Sequence, residues 1–310
     1  MTTHNSGVSH SGTGDITLGG GNVFGGRGNA GSHNPVWTRG APRAEPPAEP
    51  PAQTRDRADV GVITILSEET EAVAEVLRRR VTELRASRGP VFFDGRVPAG
   101  DRSLHVVGVQ AGGPGQHPAA GAFAHLQRHA APRTTVVVGI AGGIHRDLRL
   151  GDVVVSDDVL YYEARKDKPG ETLHRGQAHT APLVIRWAVN AFFSARGEPF
   201  PLTVDRREFR VHHGPIASGE AVIADAASPI RQFAVAYNDK IAAVETEVFA
   251  VAHAFHEAVP HDPDLVGWLT VRGISDHADQ AKDDATHVAA ARHAAAVFDL
   301  LLPALSPPSR

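Results

Sequence analysis

From Asp59 onward, apolar runs and turn signals alternate with a regularity that the preceding residues lack. Residues 59–66 (DVGVITIL) are almost unbroken in apolar character over strand length, which predicts a buried strand. Over Glu69–Arg85 the spacing becomes helical, with Val73, Val76, Leu77, Val81 and Leu84 on one face. Further strands are predicted over 104–110, 134–140, 153–159, 241–245 and 269–274, and helices over 118–129, 182–196, from 245 to about 256, and 284–302. Strands alternating with helices predict an α/β layered fold with a largely parallel sheet.

Composition sets the limits of that unit. Residues 1–40 carry 11 of the 31 glycines and few large apolar side chains. Such a stretch cannot offset the entropy of its own ordering, so a disordered Gly-rich tail is expected. Residues 41–58 hold five prolines among Ala, Glu and Arg, the texture of a semi-extended linker. The folded domain is expected over 59–304, with 305–310 a short C-terminal tail. Lys and Arg total 31 against 35 Asp and Glu, a net charge of −4, which argues against nucleic acid as a partner. The absence of cysteine excludes disulfides, thiolate metal sites and a cysteine nucleophile. No continuous apolar run approaches the roughly 18–20 residues that span a bilayer. The first residues also lack the basic start and apolar stretch of a secretory signal. A cytoplasmic protein with no membrane partner is expected.

Functional side chains of α/β sheets gather at the carboxyl ends of strands. Four such ends carry polar groups or glycines here. The first leads into Ser67, Glu68 and Glu69, an acidic helix start that also suits the helix dipole. The second leads into Ala111, Gly112, Gly113, Pro114 and Gly115. Glycines there let backbone N–H groups approach a ligand, although the stretch is neither GxGxxG nor a P-loop and a plain tight turn fits it as well. The third places Gly142 and Gly143 after a hydrophobic strand, suited to a flat ligand or to close packing. The fourth is a pair, with Glu245 and Glu247 on one segment and Arg272, Ser275 and Asp276 on the other. A carboxylate ending a buried strand needs partners or a role, and structural capping by Asp276 is the plainer use. The 18 histidines include no HExxH; His212 with His213, His253 with His256, and His287 with His293 lack matching ligand partners. They are expected at the surface or in the core, and no GxSxG nucleophile elbow is present.

Taken in order, GVITILSEETEAV at 61–73, GIAGG with LGDVVVSD within 139–157, SGEAVI at 218–223, AVETE at 243–247 and VRGISDHAD at 271–279 resemble the nucleoside phosphorylase/nucleosidase superfamily, particularly its methylthioadenosine/adenosylhomocysteine nucleosidases. Each segment alone is weak, and together they span roughly 59–304. The resemblance implies a three-layer α/β/α sandwich around a twisted mixed sheet, assembled as a homo-oligomer that borrows residues across interfaces. It makes Glu69 similar to the family's water-activating carboxylate and Glu247, with Glu245 close by, to the carboxylate on the ribose 2′ and 3′ hydroxyls. Asp276 resembles the acid at purine N7, with Ser275 beside it, and Arg272 falls near the nucleophile. Gly113, Gly142 and Gly143 are implied substrate contacts. Val222 and Ile223 fall where the base packs, a Val standing where the family has an aromatic residue.

N-glycosidic cleavage builds cationic character on the sugar and negative charge on the leaving base. Protonating the base relieves the second, and a positioned acid contributes about 10²–10⁴-fold. The resemblance implies no metal or cofactor. Phosphorolytic relatives hold phosphate with a Ser in an SGxG-like turn and with arginines, whereas residues 112–115 carry no hydroxyl, which favours water. The expected activity is hydrolysis of a purine (adenine-type) nucleoside or nucleotide. A phosphate-dependent phosphorylase and a non-catalytic nucleoside-binding module are the alternatives. Arg165, Lys166 and Lys168 suit either a 5′-phosphate or a solvated charge run. The segment 11–29 (SGTGDITLGGGNVFGGRGN) resembles the Gly/Asn-rich amyloid-signalling motifs of bacterial conflict effectors, which implies a protein partner with a similar segment.

Overall fold

The computed structural model describes residues 57–78, 85–86, 92–99, 102–278 and 284–305, together with the backbone of 16–18 and 22–24. The chain separates into two compact units, Met1–Gln53 and Thr54–Arg310. In the first, Ile16–Leu18 pairs antiparallel with Asn22–Phe24, Ile16 opposite Phe24. The expected disorder of the rest of 1–40, most of the linker and the tail beyond Leu305 fall outside the described residues.

The second unit runs β1 (Val60–Thr64), α1 (Ser67–Arg78), β2 (Phe92–Ala99), β3 (Arg102–Gln110), α2 (Gln116–Ala130), β4 (Thr134–Gly143), β5 (Val153–Ser156) and β6 (Asp158–Tyr161). A hairpin of Arg165–Lys168 and Glu171–His174 follows, paired only with itself among the described residues. Then come β7 (Gln177–Thr180), α3 (Leu183–Ser194), β8 (Phe200–Val204), β9 (Arg207–His213), β10 (Ile216–Ser218), α4 (Pro229–Tyr237), β11 (Ala243–Glu245), α5 (Val248–Ala258), β12 (Gly267–Asp276) and α6 (Asp284–Leu301).

The sheet branches at β4. Its first half pairs parallel with β1, its whole length runs parallel beside β12, and its end at Gly142 and Gly143 pairs antiparallel with β11. The branches continue as β1–β3–β2, β12–β5–β9–β8 and β11–β10–β6–β7. Antiparallel pairs such as β12–β5 and β4–β11 make the sheet mixed, where strand–helix alternation alone predicted mostly parallel pairing.

Side chains alternate faces along a strand, and paired residues share a face. A Cβ on Gly267 would meet Ile185 of α3, and one on Gly273 would meet Ala290 of α6, so these helices cover one face of β12. Thr135 pairs with both Trp268 and Gly61, and a Cβ on Gly61 would meet Leu126 of α2. Gly61 therefore faces away from Gly267, and α2, with α5 packed on it, covers the opposite face. The outcome is a three-layer α/β/α sandwich. Thr286–Leu305 is apolar and long enough to cross a bilayer by composition, yet α6 packs against β12, β4 and α1 as a core helix.

Two boundaries differ from the sequence pattern. The helix predicted to reach Arg85 is described over Ser67–Arg78, and Arg85 itself pairs with Asp94 in a two-residue strand. The run 153–159 is two strands broken at Asp157, which accepts from His213 at 2.9 Å.

Candidate active site

Glu69 sits in the first turn of α1 and is 2% exposed. Its Oε2 accepts the backbone N–H groups of Ile65 (2.8 Å) and Leu66 (2.9 Å), and its Oε1 accepts that of Ile140 in β4 (2.9 Å). The side chain thus turns back over the ends of two strands. Burial holds its pKa above the ordinary carboxylate value, against the opposing pull of Arg272 and the three N–H donors.

Glu245 ends β11, and its Oε2 accepts the N–H groups of Glu247 and Val248, both at 3.0 Å, so it caps the start of α5. Arg272 of β12 donates from Nη2 to Glu245 at 2.5 Å and to Glu247 at 3.3 Å. Glu247 Oε1 accepts from the backbone N–H of Gly115 at 3.0 Å and from the Thr246 hydroxyl. Burial and the adjacent Glu247 push Glu245 up to about 7, with Arg272 pulling the other way. For Arg272 burial works against the charge, but Glu245, Glu247 and Glu69 more than offset it and hold the guanidinium pKa above its ordinary value. Gly139 is what lets these charges meet. A Cβ there would lie 2.5 Å from both Arg272 Nη1 and Glu69 Oε1.

At the end of β12 the register with β4 slips, because Ile274 pairs with Ala141 and Asp276 with Gly142. Ser275 is the extra residue, and such a bulge re-aims the side chains that follow it. The Ser275 hydroxyl lies 3.0 Å from Asp276 Oδ2, and Asp276 Oδ1 accepts the N–H of Ala278 at 2.8 Å. A Cβ on Gly142 would come within 2.8 Å of Asp276 Oδ1.

Of the residues singled out in the sequence, Glu69, Gly142, Val222, Ile223, Glu245, Glu247, Ser275 and Asp276 line one open cavity. Gly113, Gly143 and Arg272 are not in its lining. Pro114 contacts the space where Gly113 was expected, and Gly143 packs on Ile274. Arg272 lies beneath the carboxylates it holds. Val222 is 66% exposed at the cavity mouth, whereas Ile223 is 7% exposed. Arg165 pairs with Glu163 at 3.3 Å and Lys168 with Glu171 at 3.6 Å, and neither they nor Lys166 line the cavity.

Sequence reasoning missed several supports. Gln116 donates to the Ser218 hydroxyl at 2.8 Å and accepts Ala250 N–H at 2.7 Å, and that hydroxyl accepts Phe249 N–H at 3.2 Å. These bonds tie the start of α2 to β10 and α5. Tyr162 donates to the Ala221 carbonyl at 2.6 Å, and its ring occupies the space a Cβ on Gly219 would need. His287, read from the sequence as surface or core, lines the cavity.

The family model described as the phosphorylase superfamily matches residues 59–304. The chain belongs to the phosphorylase superfamily. This superfamily member is 27% identical over 225 residues to a 5'-methylthioadenosine/S-adenosylhomocysteine nucleosidase of Haemophilus influenzae, covering 71% of this chain and 86% of the relative. Its fold is shared with the Neisseria meningitidis nucleosidase of the same name in complex with methylthio-immucillin-A (TM-score 0.61, 22% identity, 79% of this chain and 98% of the other). Futalosine hydrolase of Helicobacter pylori shares it as well (TM-score 0.60, 17% identity, 78% and 96%).

Proposed function

We propose that this phosphorylase-superfamily chain hydrolyses the N-glycosidic bond of a purine, adenine-type nucleoside or nucleotide and releases the free base. The observation that carries the reading is that Glu69, Glu247 and Asp276, from three separate strand ends, line one cavity. Asp276 protonates or hydrogen-bonds the base at N7, so the departing electron pair is taken up as the C1′–N9 bond breaks. Glu247 holds the 2′ and 3′ hydroxyls, which converts binding into positioning. Glu69 accepts a proton from the water that bonds to C1′. Ribose, or its 5′-substituted form, and protonated base are the products. Arg272 acts from below, fixing Glu247 and sharing the charge of the carboxylates.

Phosphorolysis is the second reading, and the cavity chemistry speaks against it. Neither Lys nor Arg is among its described lining residues, and the turn 112–115 offers no hydroxyl to an inorganic phosphate. The names of the sequence relatives also describe nucleosidases. Chromatography of adenosine, methylthioadenosine, AMP, ATP and NAD reactions, with and without phosphate, tests the reading beside an Asp276→Asn control. Phosphate-independent base release that the variant loses is the expected result. Strict phosphate dependence would establish the phosphorylase, and binding without base release a nucleoside-binding module.

The N-terminal segment extends the proposal to an effector role. Short apolar strands wrapped in Gly and Asn can stack in register across chains, so a protein bearing a similar segment would gather this enzyme where nucleosides are to be depleted. A chain lacking residues 1–57 that kept full regulated activity in cells would remove that role.

A further inference from the structure

Helix α4 has no part in the proposed reaction, yet its first turn is tied to the segment that carries Asp276. Arg231 is half-buried and is not among the described residues lining the cavity. Its Nη1 donates to the carbonyl of His277 at 3.0 Å and its Nη2 to that of Ile144 at 3.4 Å. Both carbonyls lie just past the ends of β12 and β4, where Asp276 pairs with Gly142. Its neighbours Ile230 and Phe233 pack on the small apolar cluster that includes Ile144, Ile223 and Ala278, which anchors the helix for this reach.

The His277 carbonyl and the Ala278 N–H belong to one peptide unit, which is planar and trans, so they point to its opposite edges. Arg231 holds one edge, and Asp276 Oδ1 accepts from the other at 2.8 Å. Ala278 is fully buried at a φ of +52°, a conformation unfavourable to a residue with a side chain. Backbone in that region persists only where its surroundings over-determine it, and the two bonds on this peptide do so. Donation to the carbonyl also polarises the peptide and strengthens the bond that its N–H gives. An N–H bond favours the carbonyl-like oxygen of a protonated carboxyl. Oδ1 is therefore the acceptor, and Oδ2, beside the Ser275 hydroxyl, is the acid oxygen. We propose, resting on the reaction above, that Arg231 is a positioning residue, acting through the 277–278 peptide to fix which oxygen of Asp276 offers its proton to the base.

Base release by the full chain tests the inference, with kcat and KM measured on the best of adenosine, AMP and methylthioadenosine. The proteins compared are the wild type, Arg231→Met, Ala278→Gly and the double variant. Arg231→Met is expected to lower kcat by about 10–10²-fold, the scale of a small misplacement, with KM changed far less because Glu247 still holds the sugar. Glycine adopts positive φ without penalty, so the same substitution should cost less, by about threefold or more, in the Ala278→Gly background. Arg231→Lys gives up the fork that reaches two carbonyls at once and serves where the Met variant does not fold, with a smaller loss and the same split expected. A folded Met variant that melts earlier but keeps wild-type kcat has lost only a strut, which overturns the proposal. A loss confined to KM, or one of equal size in both backgrounds, overturns it too. Base from none of the substrates overturns the reaction instead. The crystal structure of Arg231→Met then still decides the role. Ala278 turned from positive φ, with its N–H parted from Asp276, supports it, and an unchanged 2.8 Å bond ends it.

Discussion

The backbone N–H of Gly115 donates to Oε1 of Glu247 at 3.0 Å, joining the turn before α2 to the start of α5 across 132 residues of sequence. Gly115 holds a φ of +104°, which a side chain rarely adopts. Gly115→Ala should therefore shift this donor away from the carboxylate. A hydrogen bond to a charged acceptor contributes about 1.5–3 kcal/mol, so KM is expected to rise by about tenfold with kcat nearly unchanged. Steady-state kinetics on the best substrate measure the split, and a fall confined to kcat would contradict the role given to Glu247.

In the proposed reaction Glu69 must be ionised to take a proton from water. Burial holds its pKa above 4.5, so kcat is expected to rise with pH along a limb that lies above that value. Glu69→Gln should lose about 10²–10⁴-fold in kcat while substrate binding persists. A pH–rate profile and a binding isotherm check both parts.

Asp276→Asn is expected to cost about 10²–10⁴-fold on a natural purine substrate, because the leaving base is no longer protonated. A riboside with a strongly activated leaving group needs no such proton and should be spared. Equal losses on both substrates would assign Asp276 to shape rather than acid chemistry.

Glu245 has a folded pKa of about 7 against an ordinary 4.5, so the fold retains its proton to higher pH than the unfolded chain does. The stability this group contributes is complete below pH 4.5 and is lost as pH rises to about 7. Glu245→Gln stays neutral throughout. Its Tm relative to the wild type should thus climb between those limits, which thermal melts across the range would read.

Gly139→Ala places a methyl group 2.5 Å from Arg272 Nη1 and from Glu69 Oε1. Neither neighbour can yield freely, since each is held by buried bonds. The expected result is a loss of about 1–3 kcal/mol in stability together with most of the activity, measured by melting and by base release.

The sequence made the layered core legible where the pattern was strong. Long buried runs such as Thr134–Ile140 and the apolar face of 182–196 needed only periodicity. The hairpin of β8 and β9 was missed for a definite reason. Its turn places Asp205 and Arg206 at positive φ (49° and 64°), and Asp-Arg is not the Asn-Gly or Asp-Gly signal that betrays such turns. In the site, glutamates and Asp276 stood out because carboxylates at buried strand ends need an explanation. The backbone donors did not, since nothing in the letters of Gly115, Ile65 or Ile140 marks where an N–H will point. His287 was invisible for another reason. Its meaning depends on a cavity wall shared by segments far apart in the chain, and a lone histidine on a helix carries no such signal.

Arg272, Ser275 and Asp276 all lie on β12, which pairs along its length with β4, while Glu69 stands near the beginning of the folded unit. During synthesis the ribosome delivers Glu69 some two hundred residues before its guanidinium partner emerges. Until then Glu69 lacks the guanidinium, and the cavity lacks the group assigned to the base. A chain that ends before β12 thus carries Glu69, Glu245 and Glu247 without Arg272 or Asp276, so the candidate site is completed only by one of the last elements to be made.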